Sequence, residues 1–339
     1  MSLFANHTTF LALCLSDHPD TPFEITTSGC QIRTRGAGIV EILPLQAEAN
    51  TPALMLSAGI HGNETGPIEL LDRLLSAIAD GRQKVRIPVL IVFGHLPAMR
   101  VQKRFLTTNL NRLFTTSILT SSQVAETEPA RAQEIMQISV DFANRYPDFT
   151  HYDLHTAIRD SAIEKFALYP FVAGRALPAS QKQLLSNAGV EAILIQNKPS
   201  STYSAFTSSV LKGESFTVEL GKVKPFGKND PRRLSKLENV LTALISADTP
   251  MTNLATPATP NENCKVQIFY VCHEIINTGD TFTLNIPEDI ANFSAFDDGY
   301  EVWRDNRQSY RVEGSPQYIV FPNSKVEPGQ RAGLLIKPA

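Results

Sequence analysis

Apolar residues along this chain fall into two alternating rhythms. From about residue 38, short unbroken runs, GIVEIL, ALMLSAGI and RIPVLIVFGHL, are rich in Val, Ile and Leu, as in strands buried within a sheet. Between the second and third lies ETGPIELLDRLLSAIADG, where Ile68, Leu71, Leu74, Leu75 and Ile78 recur at helical spacing and Gly81 marks the end. Together these segments predict a βαβ unit. A second long helix is predicted across EPARAQEIMQISVDFANRYP, with Pro129 near its first turn and Pro147 beyond its end. FTHYDLHTA, KFALYP, EAILIQN and SFTVELG read as further strands, and DPRRLSKLENVLTALISA as a closing helix. The apolar patch from Thr9 to Leu15 reads as a short helix packed on this domain.

The rhythm then breaks. A stretch dense in Pro, Thr and Asn has no apolar period and reads as a linker over 249–263. Beyond it KVQIFYVCHEI, TFTLNI, YEVWRD, QYIVFP and RAGLLIKP are strand-like runs separated by turn residues. The expected organisation is an α/β domain over 1–248, the linker, and a small all-β domain over 264–339.

Composition narrows the function classes. The chain has 339 residues and 42% hydrophobic content, enough for a large packed core. With 31 Lys+Arg against 34 Asp+Glu, the net charge of -3 supplies no general field for nucleic acid or an anionic membrane. The expected partner is a small molecule, and oligomeric state is left open. The N-terminal stretch lacks the basic flank and small-residue cleavage site of a signal peptide, and no run approaches the ~20 apolar residues that cross a bilayer. Cys14, Cys30, Cys264 and Cys272 form no CxxC pair, so the cytoplasm is the expected compartment.

Candidate chemistry begins in GIHGNETGP. His61 follows a buried strand and Glu64 starts a helix, which puts both in the crevice where open α/β sheets hold ligands. Alone, this spacing fits equally a turn histidine beside a helix-favouring glutamate. A catalytic zinc takes a third protein ligand, and HYDLHTA offers one in His155. Asp153, two residues earlier on the same strand face, is suited to hold the far nitrogen of a ligating imidazole. In TVELG, Glu219 sits in an otherwise apolar strand; it is either a proton-transferring carboxylate or a structural one paired with Lys222 or Lys224.

HGNE, NLNR, DLHTAIR and VELG, in this order and at these separations, resemble the succinylglutamate desuccinylase and aspartoacylase branch of the zinc carboxypeptidase superfamily. The resemblance spans nearly the whole chain. It implies an α/β fold with a zinc-carboxypeptidase-like mixed sheet flanked by helices, plus a small C-terminal all-β domain. It also implies one Zn2+ per subunit held by His61, Glu64 and His155, with Glu219 as general acid and base. The continuation Thr156-Ala157-Ile158-Arg159 is more similar to desuccinylases than to aspartoacylases, which favour DLHNTT. The implied reaction is hydrolysis of N-succinyl-L-glutamate to succinate and glutamate, in arginine catabolism by the succinyltransferase route.

That substrate carries three carboxylates, and arginine pairs with carboxylate bidentately. In RFLTTNLNRLF the resemblance implies that Asn111 and Arg112 hold a substrate carboxylate and that Arg104 polarises the scissile carbonyl. Arg159 is read as a partner for a further substrate carboxylate or, alternatively, as one half of a surface salt bridge. His95 is read as a hydrogen-bonded structural residue, and His151 as lying behind the ligands or in solvent. A related N-acyl amino acid amidohydrolase of the aspartoacylase kind, a peptide carboxypeptidase and a non-catalytic dicarboxylate-binding protein are the competing readings.

Overall fold

The computed structural model describes residues 4–46, 51–124, 127–247, 265–314 and 316–339. The linker expected at 249–263 lies outside these residues. In chain order the first strands are β1 (Glu24–Thr26), β2 (Cys30–Gly36), β3 (Ile39–Pro44), β4 (Ala53–Ala58) and β5 (Val89–Phe93). They are followed by β6 (Phe149–Ala157), β7 (Lys165–Tyr169), β8 (Ala192–Ile195) and β9 (Glu214–Lys222). The C-terminal part contributes β10 (Gln267–Ile276), β11 (Thr283–Leu284), β12 (Ser294–Phe296), β13 (Glu301–Arg304), β14 (Ser309–Arg311), β15 (Gln317–Val320) and β16 (Arg331–Pro338).

Thirteen of these strands form one mixed sheet in the order β1-β2-β3-β5-β4-β6-β9-β7-β8-β10-β16-β15-β12. At its centre β5, β4, β6 and β9 run parallel, so their carboxyl ends open on one edge. That edge is where side chains from distant segments can converge. The flanking helices fix it from both faces. Helix Thr65–Ala79 buries Ile68, Leu71, Leu74, Leu75 and Ile78, as their spacing predicts, against Leu54, Leu56 and Leu154. On the other face helix Glu128–Arg145 packs Ile135, Met136 and Phe142 against Met55 and Val92. Alternate residues of β4 thus serve opposite layers.

The sheet begins at Glu24 rather than near residue 38. β1 and β2 form an edge hairpin whose residues are mostly half-buried or exposed, so no apolar run marks them. Helices Ala179–Asn187 and Tyr203–Ser209 also escaped the sequence pattern, being short and largely polar. Helix Phe10–Cys14 forms where expected, capped by the Thr9 hydroxyl.

The small C-terminal β domain is joined edge to edge with the central sheet. β10 pairs in parallel with β8, from Gln267 opposite Ala192 to Tyr270 opposite Ile195. β16 and β15 follow antiparallel, and Ile275, Val302, Ile319 and Leu335 form a core between them and the three-stranded sheet β11-β13-β14.

Candidate functional site

The turn after β4 delivers the first two groups. Gly59 adopts φ +68°, a left-handed conformation that glycine reaches without strain. Gly62 lies so close to the next helix that a Cβ there would be 2.3 Å from the Ala98 carbonyl carbon and 2.4 Å from the Met99 nitrogen. These glycines let the chain fold tightly enough for His61 to face Glu64, which stands at the N-cap of helix Thr65–Ala79. The third group comes from β6, where His155 lies opposite Glu219 of β9 in register; the ladder slips immediately afterwards, between His155 and Ala157. Such irregularities re-aim side chains beside functional sites.

The result is a buried cluster of His61, Glu64 and His155, each offering one ligand atom, all within 4.8 Å of one another. Glu64 Oε1 lies 2.9 Å from His61 Nδ1, and Glu64 Oε2 lies 2.9 Å from His155 Nδ1. The backbone N–H of Thr156 also donates to Glu64 Oε2 at 3.1 Å.

The far side of each imidazole fixes its tautomer. Asn109 Oδ1 accepts the Asn111 N–H at 3.0 Å, which identifies it as the carbonyl oxygen; His61 Nε2, 3.0 Å away, must therefore donate to it. His61 Nδ1 keeps its lone pair and, though buried, has no well-aligned hydrogen-bond partner. His155 Nε2 donates to Asp153 Oδ2 at 2.9 Å, while Asp153 Oδ1 accepts from Ser57 Oγ at 2.6 Å. Both Nδ1 atoms thus point at the same space, with a carboxylate between them. Two imidazoles and one carboxylate fit a zinc-type ion, and the orphaned His61 nitrogen is the atom such an ion would satisfy.

Electrostatics sharpen this picture. Burial, and then Arg104 and His155, lower the His61 pKa to about 4, so His61 is neutral at pH 7. Burial opposes charge on Glu64 and His155 as well, but the Glu64 carboxylate is pulled well below its usual range by His61 and His155. His155 is pushed well above the ordinary imidazole range by Asp153 and Glu64. Without a metal, the proton of the cluster rests on His155.

Glu219 lies beside this cluster, 7% exposed, and its Oε2 has no partner. Burial, assisted by Glu64, raises its pKa to about 7. Of the two lysines in the structural alternative for Glu219, Lys222 pairs instead with Asp160 at 2.7 Å.

Arg104 reaches the cluster directly, donating from Nη1 to Glu64 Oε1 at 2.6 Å. Asn111 is buried, and its Oδ1 accepts the Tyr203 N–H at 2.9 Å, which leaves the amide NH2 as donor. Arg112 is exposed along the same loop. The surrounding protein, then Arg331 and Arg104, lower its pKa, and Glu274 opposes them; it remains a cation at neutral pH. Arg331 lies at the start of β16, so the C-terminal strands bring charge to this crevice. Arg159 is half-buried, and its guanidinium donates to the Glu288 carbonyl. His151 is fully buried between Ser57 and Thr207, behind Asp153 rather than in solvent. Asn109 and Arg331 escaped sequence reasoning; Asn109 was visible only as the first residue of NLNR.

A mixed, helix-flanked sheet with two histidines and a glutamate gathered at its carboxyl edge belongs to the zinc-carboxypeptidase-like fold class. Two family descriptions match the chain: succinylglutamate desuccinylase/aspartoacylase catalytic domain over residues 50–245, and AstE/AspA barrel-sandwich hybrid domain over residues 264–339. The chain is 43% identical over 331 residues to a succinylglutamate desuccinylase of Pseudomonas putida, covering 97% of this chain and 96% of the relative. It is 44% identical over 324 residues to one of Pseudomonas fluorescens, covering 95% and 94%. Among solved structures, the succinylglutamate desuccinylase of Vibrio cholerae superimposes with a TM-score of 0.88 at 32% identity, covering 100% of this chain and 96% of that one. The chain belongs to the succinylglutamate desuccinylase/aspartoacylase family. It is an enzyme of the hydrolase type that its desuccinylase relatives represent.

Proposed function

We propose that this protein is a zinc-dependent amidohydrolase that cleaves N-succinyl-L-glutamate to succinate and glutamate, within arginine catabolism by the succinyltransferase route. The observation that carries the assignment is the buried His61, Glu64 and His155 cluster beside a carboxyl group, Glu219, with one oxygen unpartnered. An ion bound by the three ligands supplies a lowered water pKa and a Lewis acid for the scissile carbonyl.

The chain's own residues do the rest. Glu219, with a pKa of about 7 before an ion is present, accepts a proton from the attacking water and returns it to the departing amine. Water adds to the amide carbon, the C–N bond breaks, and the products are a carboxylate and a free amine. Arg104 faces the carbonyl oxygen as negative charge develops there, worth about 3 kcal/mol for one well-placed donor. Arg112 and the Asn111 amide hold a substrate carboxylate, and Arg331 adds a further positive charge at the crevice. A tricarboxylate substrate suits three guanidiniums opposed by Glu274.

Among the described residues no helix is long and apolar enough to cross a membrane, and Cys14, Cys30 and Cys272 are free thiols. Free thiols support a cytoplasmic setting.

The test is hydrolysis of N-succinylglutamate, N-succinylarginine, N-acetylaspartate and a peptide ending in glutamate, with and without chelator. Fastest turnover of N-succinylglutamate, abolished by chelator and restored by zinc, is the expected result. Faster peptide cleavage would overturn the substrate, and ligand binding without turnover of any compound would overturn the enzyme.

A further inference from the structure

Arg104, Asn109, Asn111 and Arg112 share one irregular loop, and two of them touch ligands of the candidate metal site. Something must hold that loop still. Its crest, Leu106 to Thr108, is exposed. From beneath, the wholly buried carboxylate of Glu128, first residue of helix Glu128–Arg145, gathers the crest's donors. Glu128 Oε1 accepts from Leu106 N at 3.1 Å and Thr107 N at 2.9 Å, with Thr108 N more distant at 3.4 Å. Glu128 Oε2 accepts from the Thr107 hydroxyl at 2.6 Å.

His95 completes the arrangement. Its Nδ1 faces the Ala98 N–H at 3.4 Å, so Nε2 carries the proton and donates to Glu128 Oε1 at 3.1 Å. Burial lowers the His95 pKa, which keeps the ring a neutral donor. The carboxylate is thus stabilised by aimed dipoles and by its place at a helix N-terminus. A carboxylate turns two acceptor oxygens and a full negative charge toward these donors; an amide of the same shape offers one oxygen and turns its NH2 toward groups that also donate.

We propose that Glu128 is the positioning residue of the site: by clamping Leu106 and Thr107 it fixes the loop that aims Arg104 at the reacting carbonyl and Asn109 at His61. A displacement of about 1 Å in such a group can cost a hundredfold in rate.

The test uses the zinc-loaded full-length chain and three readouts: amide hydrogen exchange over residues 104–112, zinc affinity by chelator competition, and the split between kcat and KM. Glu128→Gln is expected to lose exchange protection at Leu106 and Thr107, to weaken zinc severalfold, and to lower kcat about tenfold to a hundredfold with KM changed far less. In the Arg104→Lys background the same substitution is expected to cost much less, because the aimed group is already impaired. Thr107→Val keeps the carboxylate but removes one donor, and is expected to show the same pattern at smaller amplitude; it carries the test if Glu128→Gln does not fold. Unchanged exchange protection, or effects that simply multiply with Arg104→Lys, would overturn the proposal. The kcat arm rests on the function proposed above. If the wild-type protein turns over none of the acyl amino acids, that function fails, while exchange and zinc affinity still decide the role of Glu128.

Discussion

Asp153→Asn separates two opposing effects of one buried carboxylate. Asp153 receives the His155 Nε2 proton at 2.9 Å and is itself held by Ser57 at 2.6 Å, fully buried. Its charge makes the imidazole a better ligand, and removing such a partner costs about tenfold to a hundredfold in metal affinity, or about 1.4 to 2.7 kcal/mol. The same charge, together with Glu64, holds the metal-free His155 pKa well above the usual imidazole range, so a proton on Nδ1 competes with the ion. Below that pKa each unit of falling pH costs the wild type about tenfold in affinity, and the variant, with a lower His155 pKa, enters this regime later.

The affinity deficit of Asp153→Asn is therefore expected to be full above the raised wild-type His155 pKa and to shrink as pH falls below it. Competition against a chelating dye on both sides of that pKa measures it, with circular dichroism to show that the fold is retained. A deficit that is absent at the alkaline end, or that widens on acidification, would refute the reasoning.

Glu219→Gln keeps the shape of the side chain but cannot transfer the proton; kcat should fall about 10²- to 10⁴-fold while zinc content measured by atomic absorption stays at one per chain. In the metal-free protein Glu219 titrates near 7 instead of 4.5, so its neutral form stabilises the fold fully below the lower value, and this contribution is lost as pH rises through the higher one. Urea denaturation of metal-free wild type and Glu219→Gln should differ in pH dependence over that window by up to about 3 kcal/mol, the wild type losing more stability as pH rises. Arg112→Leu should raise KM for N-succinylglutamate about tenfold to a hundredfold with kcat little changed, because a charge-assisted pair contributes about 1.5 to 3 kcal/mol to binding. A loss confined to kcat would remove Arg112 from carboxylate binding.

The central strands and long helices were legible because burial on both faces demands unbroken apolar runs, and helix Thr65–Ala79 shows its stripe residue by residue. β1 and β2 were not, because edge strands alternate among half-exposed positions that resemble a loop. His61, Glu64 and His155, which the fold brings together, could be singled out because each sits in a short local motif whose neighbours shape a turn or strand. Asn109, Glu128 and Arg331 owe their roles to contacts the fold makes across long separations, such as the 48 residues between Asn109 and His61. No local spacing encodes these. Arg159 was singled out from its neighbourhood in DLHTAIR; its bond to the Glu288 carbonyl, 129 residues away, is a contact that this neighbourhood does not announce.

The parallel pairing of β10 with β8 bears on how the gene could be trimmed. Ending the chain at residue 247 would strip β10, the strand that flanks β8 opposite β7, baring the backbone donors and acceptors of Ala192–Ile195 together with apolar side chains now covered by Phe269 and Val271. Such an unprotected margin recruits other copies through strand addition. The shortened protein is expected to elute from a sizing column as aggregate, whatever metal it is given.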